Sequence, residues 1–371
     1  MVDGNLPSEP VVLIASAEFT LKSYPVRRTL EQRLIDDLRT ALKDASVDGA
    51  NIEKHAARLV VRRVRDALSA ARVCARVFGV AYAAPAVMLP ASIEPITQQI
   101  LKTAEEEIHP GQSFAIRTHR STKTSVSRRD LEIRGGSEVL NHLKSRDVRV
   151  DLTQPDVTIS VDLADDRAYV YSQKLEGPSG LPISAHWKLL GILDSGPLSI
   201  LAAYAMMRRG CLVELLIPTS EKIKNFDREE QLRMARALRR FVTRPNYRVH
   251  LLQLEKLLGG GSRSDASDLA SVRGLVRKAA LQFAKKKHFK GIVIPDVAGV
   301  IDAHLTESQV PIFHPLIGLD GNDLMDVCRA VGISQEELSS QIELENRSTG
   351  TFHESVSNRD FSDVEPEQLL L

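Results

Sequence analysis

Lys188–Cys211 reads KLLGILDSGPLSILAAYAMMRRGC, and its reading decides the fold of the C-terminal half. Leu189–Leu193 is a short apolar run that suits a buried strand. Asp194, Ser195, Gly196 and Pro197 form a polar turn, and Leu198–Arg209 reads as a helix that Gly210 ends. A second apolar strand, Cys211–Ile217, follows. A strand, a tight turn and a helix start are the local ingredients of a phosphate site, because backbone N–H groups and the positive helix end converge on one point.

Downstream, the chain alternates apolar strand and longer helix: Leu212–Ile217, Arg228–Val242, Arg248–Leu254, Ala270–Lys287, Gly291–Pro295 and Asp320–Val331. This alternation predicts a parallel sheet with helices on both faces. Gly259–Ser262 reads as a glycine-serine loop. Upstream lies Leu175–Ala185, LEGPSGLPISA, a linker by composition. Before it come two smaller α+β units. The first has strands at Val11–Ser16 and Leu59–Arg65 and helices at Arg27–Leu42 and Ala67–Val77. The second begins after Pro85–Pro90, with helices at Ile93–Ile108 and Leu131–Leu143, a strand at Ser113–Thr118, and a hairpin of Val157–Val161 and Ala168–Ser172 turning at Asp165-Asp166. Beyond Glu343 the chain is polar, and Asn346–Leu371 is expected to be a largely disordered tail.

At 371 residues, two or three domains are expected. No run of about 18 apolar residues suggests a membrane span, and the polar start MVDGNLPSEP is neither a signal nor a transit peptide. Cys74, Cys211 and Cys328 lie far apart, so neither a zinc site nor a disulfide framework is expected, and a reducing cytoplasm is the default. The net charge of +1 excludes little, but Arg117, Arg120, Lys123, Arg128, Arg129, Arg134, Lys144, Arg146 and Arg149 crowd one segment. That segment is either a solvated face or a phosphate-binding surface. Aromatic content of 5% argues against a reader of single strands by stacking.

Several motifs, in order, resemble the tRNA 4-thiouridine synthase family (tRNA sulfurtransferases), over the chain up to about Gly332. Ala17-Glu18-Phe19-Thr20-Leu21-Lys22-Ser23 resembles the family's G-E-[IL]-x-L-K-S and is followed by Arg27 and Arg28. Phe78-Gly79-Val80 resembles its F-G-[IV] step. Phe114-Ala115-Ile116-Arg117 with Arg120, Ser121 and Lys123 is similar to the F-x-[IV]-R-x-x-R-x-x-K of THUMP domains. Gly177–Pro182 resembles the G-x-G-G-L-P linker with Ser179 in place of one glycine, and Tyr204–Cys211 and His314–Asp320 match further on, with His314 where the family usually has Arg. The resemblance implies an N-terminal ferredoxin-like domain (1–84), a THUMP RNA-binding domain (85–174), a linker (175–186) and a doubly wound parallel-sheet domain of the adenine-nucleotide-hydrolase-like, pyrophosphate-loop type (187–345). It also implies a tRNA partner held by Lys22, Arg27, Arg28, Arg117, Arg120, Lys123, Arg128 and Arg129, with a homodimer as a further expectation. The family activity is ATP- and Mg-dependent formation of 4-thiouridine at tRNA position eight, with sulfur delivered from a donor protein as a cysteine persulfide; the family also has a link to thiamine biosynthesis.

Set in register by Tyr204–Gly210, the family's S-G-G-x-D-S loop falls on Asp194-Ser195-Gly196-Pro197-Leu198-Ser199; a shifted register would instead pair Leu193-Asp194-Ser195 with the x-D-S end, but it displaces the match to the downstream helix by four residues. Only Gly196 and Ser199 keep the family's residues. Ser195 brings a Cβ where backbone must approach phosphate, Pro197 removes an N–H, Asp194 brings a negative charge, and Leu198 stands where the motif has its aspartate. In the family's T-G-[ED]-x-x-G-Q-V-A-S-Q only Asp296 and Gly299 remain in kind, Val300, Ala303 and His304 standing at its polar positions. The segment after Gly332 carries no cysteine in place of the family's sulfur carrier. Each of the three cysteines reads as a buried structural thiol, and His304 and His314 stand near strand ends with no partner of matching role, so a pocket-lining part is the less favoured reading for each. Two readings stay open: a sulfurtransferase with an unusual loop and no identifiable catalytic residue, expected to bind ATP weakly or not at all, or a non-catalytic tRNA-binding relative whose last domain is a scaffold or partner surface.

Overall fold

A computed structural model describes residues 8–16, 22–56, 58–122, 124–183, 185–194, 196–244, 246–258, 269–296, 309–319, 321–347 and 365–370. Two compact units divide the chain, Met1–Ser179 and Gly180–Leu371.

In the first unit the order is β1 (Glu9–Ser16), α1 (Tyr24–Asp44), β2 (Asn51–His55), β3 (Arg58–Arg62), α2 (Ala67–Cys74), β4 (Val80–Pro90), α3 (Ile93–Glu107), β5 (Ser113–Arg120), α4 (Arg128–His142), β6 (Arg149–Val150), β7 (Val157–Ala164), β8 (Arg167–Tyr171) and β9 (Leu175–Glu176). The strands form one sheet in the order β2-β3-β1-β4-β8-β7-β5-β6, with β9 also on β4. Alternation along the strands supplies two apolar faces. Phe114, Ile116, Ile159, Val161, Ala168 and Val170 pack on Ile96, Ile100, Leu131 and Val139 of α3 and α4. Val11, Leu13, Val60, Met88 and Tyr169 build the opposite layer. Asp66 caps α2 by accepting from the Leu68 and Ser69 N–H groups. The hairpin between β7 and β8 turns at Asp165, which adopts φ +51°.

Pro85–Pro90 is the second part of β4, which pairs with β1 on one side and β8 on the other. The linker is also ordered: Ser179 N–H donates to the Val80 carbonyl, while in the second unit Leu181 N–H donates to the Arg208 carbonyl. Gly180 adopts φ +71°, and a Cβ there would lie 2.1 Å from the Arg208 carbonyl oxygen.

The second unit contains β10 (Lys188–Ile192), α5 (Pro197–Arg208), β11 (Leu212–Thr219), α6 (Arg228–Arg239), β12 (Arg248–Gln253), α7 (Leu254–Leu258), α8 (Leu269–Lys286), β13 (Ile292–Val293), β14 (Ile312–Phe313), α9 (Gly321–Val331), α10 (Gln335–Arg347) and β15 (Glu367–Leu370). The sheet order is β14-β13-β10-β11-β12-β15, parallel throughout except for the last strand. Leu190, Ile192, Leu216 and Leu252 pack against Val272, Val276, Ala280 and Phe283 of α8. The segment expected to be a disordered tail contains the end of α10 and all of β15, which pairs Glu367–Leu370 with Leu251–Arg248. A four-residue strand surrounded by polar sequence carries too little hydrophobic periodicity to be read from the chain alone. The Gly259–Ser262 loop lies outside the described residues.

A crevice at the strand ends, and a basic face

The chain runs from β10 outward through β11 to β12, then returns to place β13 on the other side of β10. The connections therefore reverse between β10 and β13, and in open α/β sheets the crevice at the carboxyl ends of such strands is where ligands bind. Asp194 follows β10 and Asp296 follows β13, so both carboxyl groups arrive there.

Both are buried, at 3% and 4% exposure. Arg277 of α8 ties them together: its Nε donates to Asp194 Oδ2 at 3.1 Å and its terminal nitrogen to Asp296 Oδ1 at 2.9 Å. One turn earlier, Arg273 Nε donates to the Asp194 carbonyl at 3.0 Å. His314, just after β14, brings Nδ1 to 3.2 Å from Asp296 Oδ2. That pair stands at hydrogen-bond length but off the hydrogen-bond direction, and neither atom has a hydrogen-bond partner. Burial pushes the Asp296 carboxyl above its usual range; Arg277 and His314 oppose this, and the Asp194 charge adds to it.

At the entry to α5, Gly196 adopts a φ of +52° that suits glycine, and Pro197 takes the first helical turn. Leu198 is fully buried and Ser199 is 3% exposed, so both have become core residues of α5. The carboxylate of the turn points inward to Arg277, and no polar side chain replaces the motif's aspartate at Leu198. Ser195, Gly299, Val300, Ala303 and His304 lie outside the described residues. Sequence reading missed Arg273 and Arg277. The available signal was two arginines four residues apart in a helix whose Val272, Leu275, Val276, Ala279 and Ala280 are core.

Cys74, Cys211 and Cys328 are all buried and free. Burial pushes the Cys74 thiol up to about 12 and raises the other two. Among the described residues no cluster of three or more metal-ligand side chains occurs, and no helix is long and apolar enough to cross a membrane.

The basic residues of the first unit fall into two groups. Some are engaged in the fold: Arg27 pairs with Glu31, Arg128 with Glu132, and an Arg117 guanidinium nitrogen donates to the Leu152 carbonyl. Lys22, Arg28, Arg120 and Arg129 are exposed. Strand alternation sends Arg117 and Arg120 to opposite faces of β5, so the sequence motif does not make them one cluster. Lys123 lies outside the described residues.

Three sequence families match this chain in order. Residues 11–84 match the ThiI ferredoxin-like domain, 90–173 the THUMP domain, and 186–349 the thiamine biosynthesis protein (ThiI) family. The probable tRNA sulfurtransferase of Thermococcus kodakarensis is 28% identical over 344 residues, covering 87% of each chain. That of Methanocaldococcus jannaschii is also 28% identical, covering 91% of each. The chain belongs to the tRNA sulfurtransferase family. As a member it has the family's ferredoxin-like and THUMP domains, and the parallel-sheet unit described above corresponds to the ThiI domain. Among solved structures, PH1313 from Pyrococcus horikoshii aligns with a TM-score of 0.65 at 25% identity, over 87% of this chain and all of that one. A 4-thiouridine synthetase in complex with RNA and ATP shares the fold of this sulfurtransferase-family chain, with a TM-score of 0.68 at 17% identity over 95% of this chain and 91% of that one.

Proposed function

We propose that the chain is a tRNA-binding protein whose crevice does not carry out ATP-dependent sulfur transfer. The observation that carries this reading is the Arg277 bridge. The turn that would present backbone N–H groups to pyrophosphate instead buries a carboxylate, and the nearest guanidinium is committed to that carboxylate and to Asp296. Each phosphate charge brought within about 4 Å of Asp194 would meet a repulsion of roughly 1–4 kcal/mol. The buried, high-pKa cysteines supply no persulfide carrier. The THUMP match and the exposed arginines support the RNA half of the reading, and a cytoplasmic location goes with it.

The second reading is the family reaction itself, with ATP and Mg, a sulfur-donor protein and uridine at tRNA position eight. The glycine at position 196, with its φ of +52°, favours it. Titration calorimetry with Mg-ATP separates the two: no measurable heat is expected, and micromolar binding abolished by a bulky residue at Gly196 would overturn the proposal. Deleting the gene is expected to leave 4-thiouridine in total tRNA unchanged. For the RNA half, Arg120→Glu combined with Arg129→Glu is expected to weaken tRNA binding at least tenfold and to flatten its salt dependence. An unchanged affinity would remove the RNA surface. Gel filtration of the same samples distinguishes monomer from the homodimer that the family resemblance implies.

A further inference from the structure

The end of the parallel sheet opposite the crevice carries the chain's one tryptophan, and the fold leaves it uncovered. Trp187 immediately precedes β10 and is 54% exposed, although tryptophan is highly buried on average. Its backbone is fixed, because the Trp187 carbonyl accepts from the Leu212 N–H at 3.0 Å. Its ring centre lies 6.1 Å from that of the half-buried Phe313 on the edge strand β14, at an angle of 51°. Phe313 in turn lies against Gly291, where a Cβ would come within 2.5 Å of the ring.

Lysines gather at the same end of the sheet, and the fold does not use all of them. Lys188 Nζ is 2.9 Å from Glu214 and sits over the Phe289 ring. In the last turn of α8, Lys285 donates to Gln309 and Lys286 pairs with Glu365 at 2.8 Å; cations there also complement the helix dipole. Lys287 and Lys290 are exposed, and among the described residues neither forms an ion pair. Lys287 acts on Glu365 only at longer range. Lys290 lies beyond the helix, and its N–H donates to the Lys188 carbonyl at 3.0 Å, which sets it alongside the start of β10 and next to Trp187. Unmatched cations beside an accessible indole are the elements of a single-strand site: the cations meet phosphates and a base stacks on the ring. We propose that this surface binds an unpaired stretch of RNA, with Trp187 as the stacking platform and Lys287 and Lys290 as the phosphate contacts. The low aromatic content removes a ladder of stacked bases, and one platform needs no ladder. The charge selects a polyanion over an apolar protein face or a second copy, either of which would have to bury the two lysines unpaired. About 20 Å of strand separates Trp187 from Asp194, so this surface is not the crevice. The choice of RNA as the polyanion rests on the proposal that the chain binds tRNA. A single stack and two lysines make a weak site that adds little to the affinity for a whole tRNA.

Because Trp187 is the only tryptophan, the tryptophan emission of the full-length protein reads this surface alone. An oligoadenylate of about eight nucleotides is expected to quench it severalfold, at concentrations that rise steeply with salt. A blunt-ended duplex of the same length is expected to leave it nearly unchanged. Lys287→Glu combined with Lys290→Glu is expected to weaken the oligoadenylate titration about tenfold. Trp187→Ala is expected to cost about fivefold in the binding of an end-labelled oligoadenylate followed by anisotropy, and Trp187→Phe to restore it, both with the parent's circular dichroism. Emission that ignores the oligoadenylate, equal quenching by the duplex, or a titration indifferent to the lysine reversals overturns the proposal. So does gel filtration showing a dimeric parent and a monomeric Trp187→Ala, since the ring then serves a second copy. Quenching by the oligoadenylate in a protein that fails to bind tRNA would overturn the tRNA reading and leave this surface standing. Binding of tRNA with no response to the oligoadenylate would do the reverse.

Discussion

Glu214 on β11 shows how single residues decide the behaviour of the parallel sheet. It is 4% exposed and has two nitrogen partners at once, Lys188 Nζ at 2.9 Å and His250 Nε2 at 2.9 Å. Burial works against its charge, but the hydrogen bonds from His250 and Lys188 outweigh it and hold its pKa below the usual 4.5. A lowered carboxylate pKa contributes stability that is complete above the unfolded value and is lost as pH falls through the folded one. Glu214→Gln is therefore expected to cost about 2 kcal/mol at neutral pH. It should also make the decline in stability below pH 5 shallower than in the parent, as measured by urea unfolding at a series of pH values. At this scale the sequence was only partly legible. The loop substitutions could be read directly, because a glycine replaced by serine and an aspartate by leucine have local meaning. Arg277 could not be assigned, because its two carboxylate partners lie 83 and 19 positions away. His314 looked unpartnered for the same reason.

Among the elements, helices and buried strands announced themselves by periodicity, and edges did not. α8 and β11 are long and strongly patterned, so their existence was plain and only their ends shifted. β2 buries just Ile52 of its five residues, and β14 and β15 are short edge elements held by backbone pairing. Short as it is, β15 covers the outer edge of β12, whose Val249 and Leu251 are buried. Deleting residues 365–371 leaves that row of backbone N–H and C=O groups unpaired. The expected result is a loss of roughly 1 kcal/mol for each ladder hydrogen bond removed, with concentration-dependent association visible by light scattering. A truncated chain as stable and monodisperse as the parent would mean that the strand is dispensable.

For the whole molecule, the division lies at Ser179–Gly180. A fragment ending at Ser179 is expected to fold by itself and to keep the tRNA affinity of the full chain within about fivefold, since the arginines proposed to touch RNA are all within it. A fragment ending at residue 84 is expected not to fold, because it loses half of a strand whose neighbours lie on both sides. Circular dichroism and filter binding on the two fragments check this.

The strand Val80–Pro90 also bears on ancestry. The strand of the ferredoxin-like half pairs with it from Val80 to Met88 and the hairpin of the THUMP half from Val87 to Pro90, and the two family matches stop and start within it, at residues 84 and 90. A recombination event at that point would hand each descendant a fragment of a strand needed by both halves. The part of this gene that can be exchanged intact between lineages is therefore the entire stretch through Ser179, and the two halves should share one inheritance even where their sequence profiles are catalogued separately.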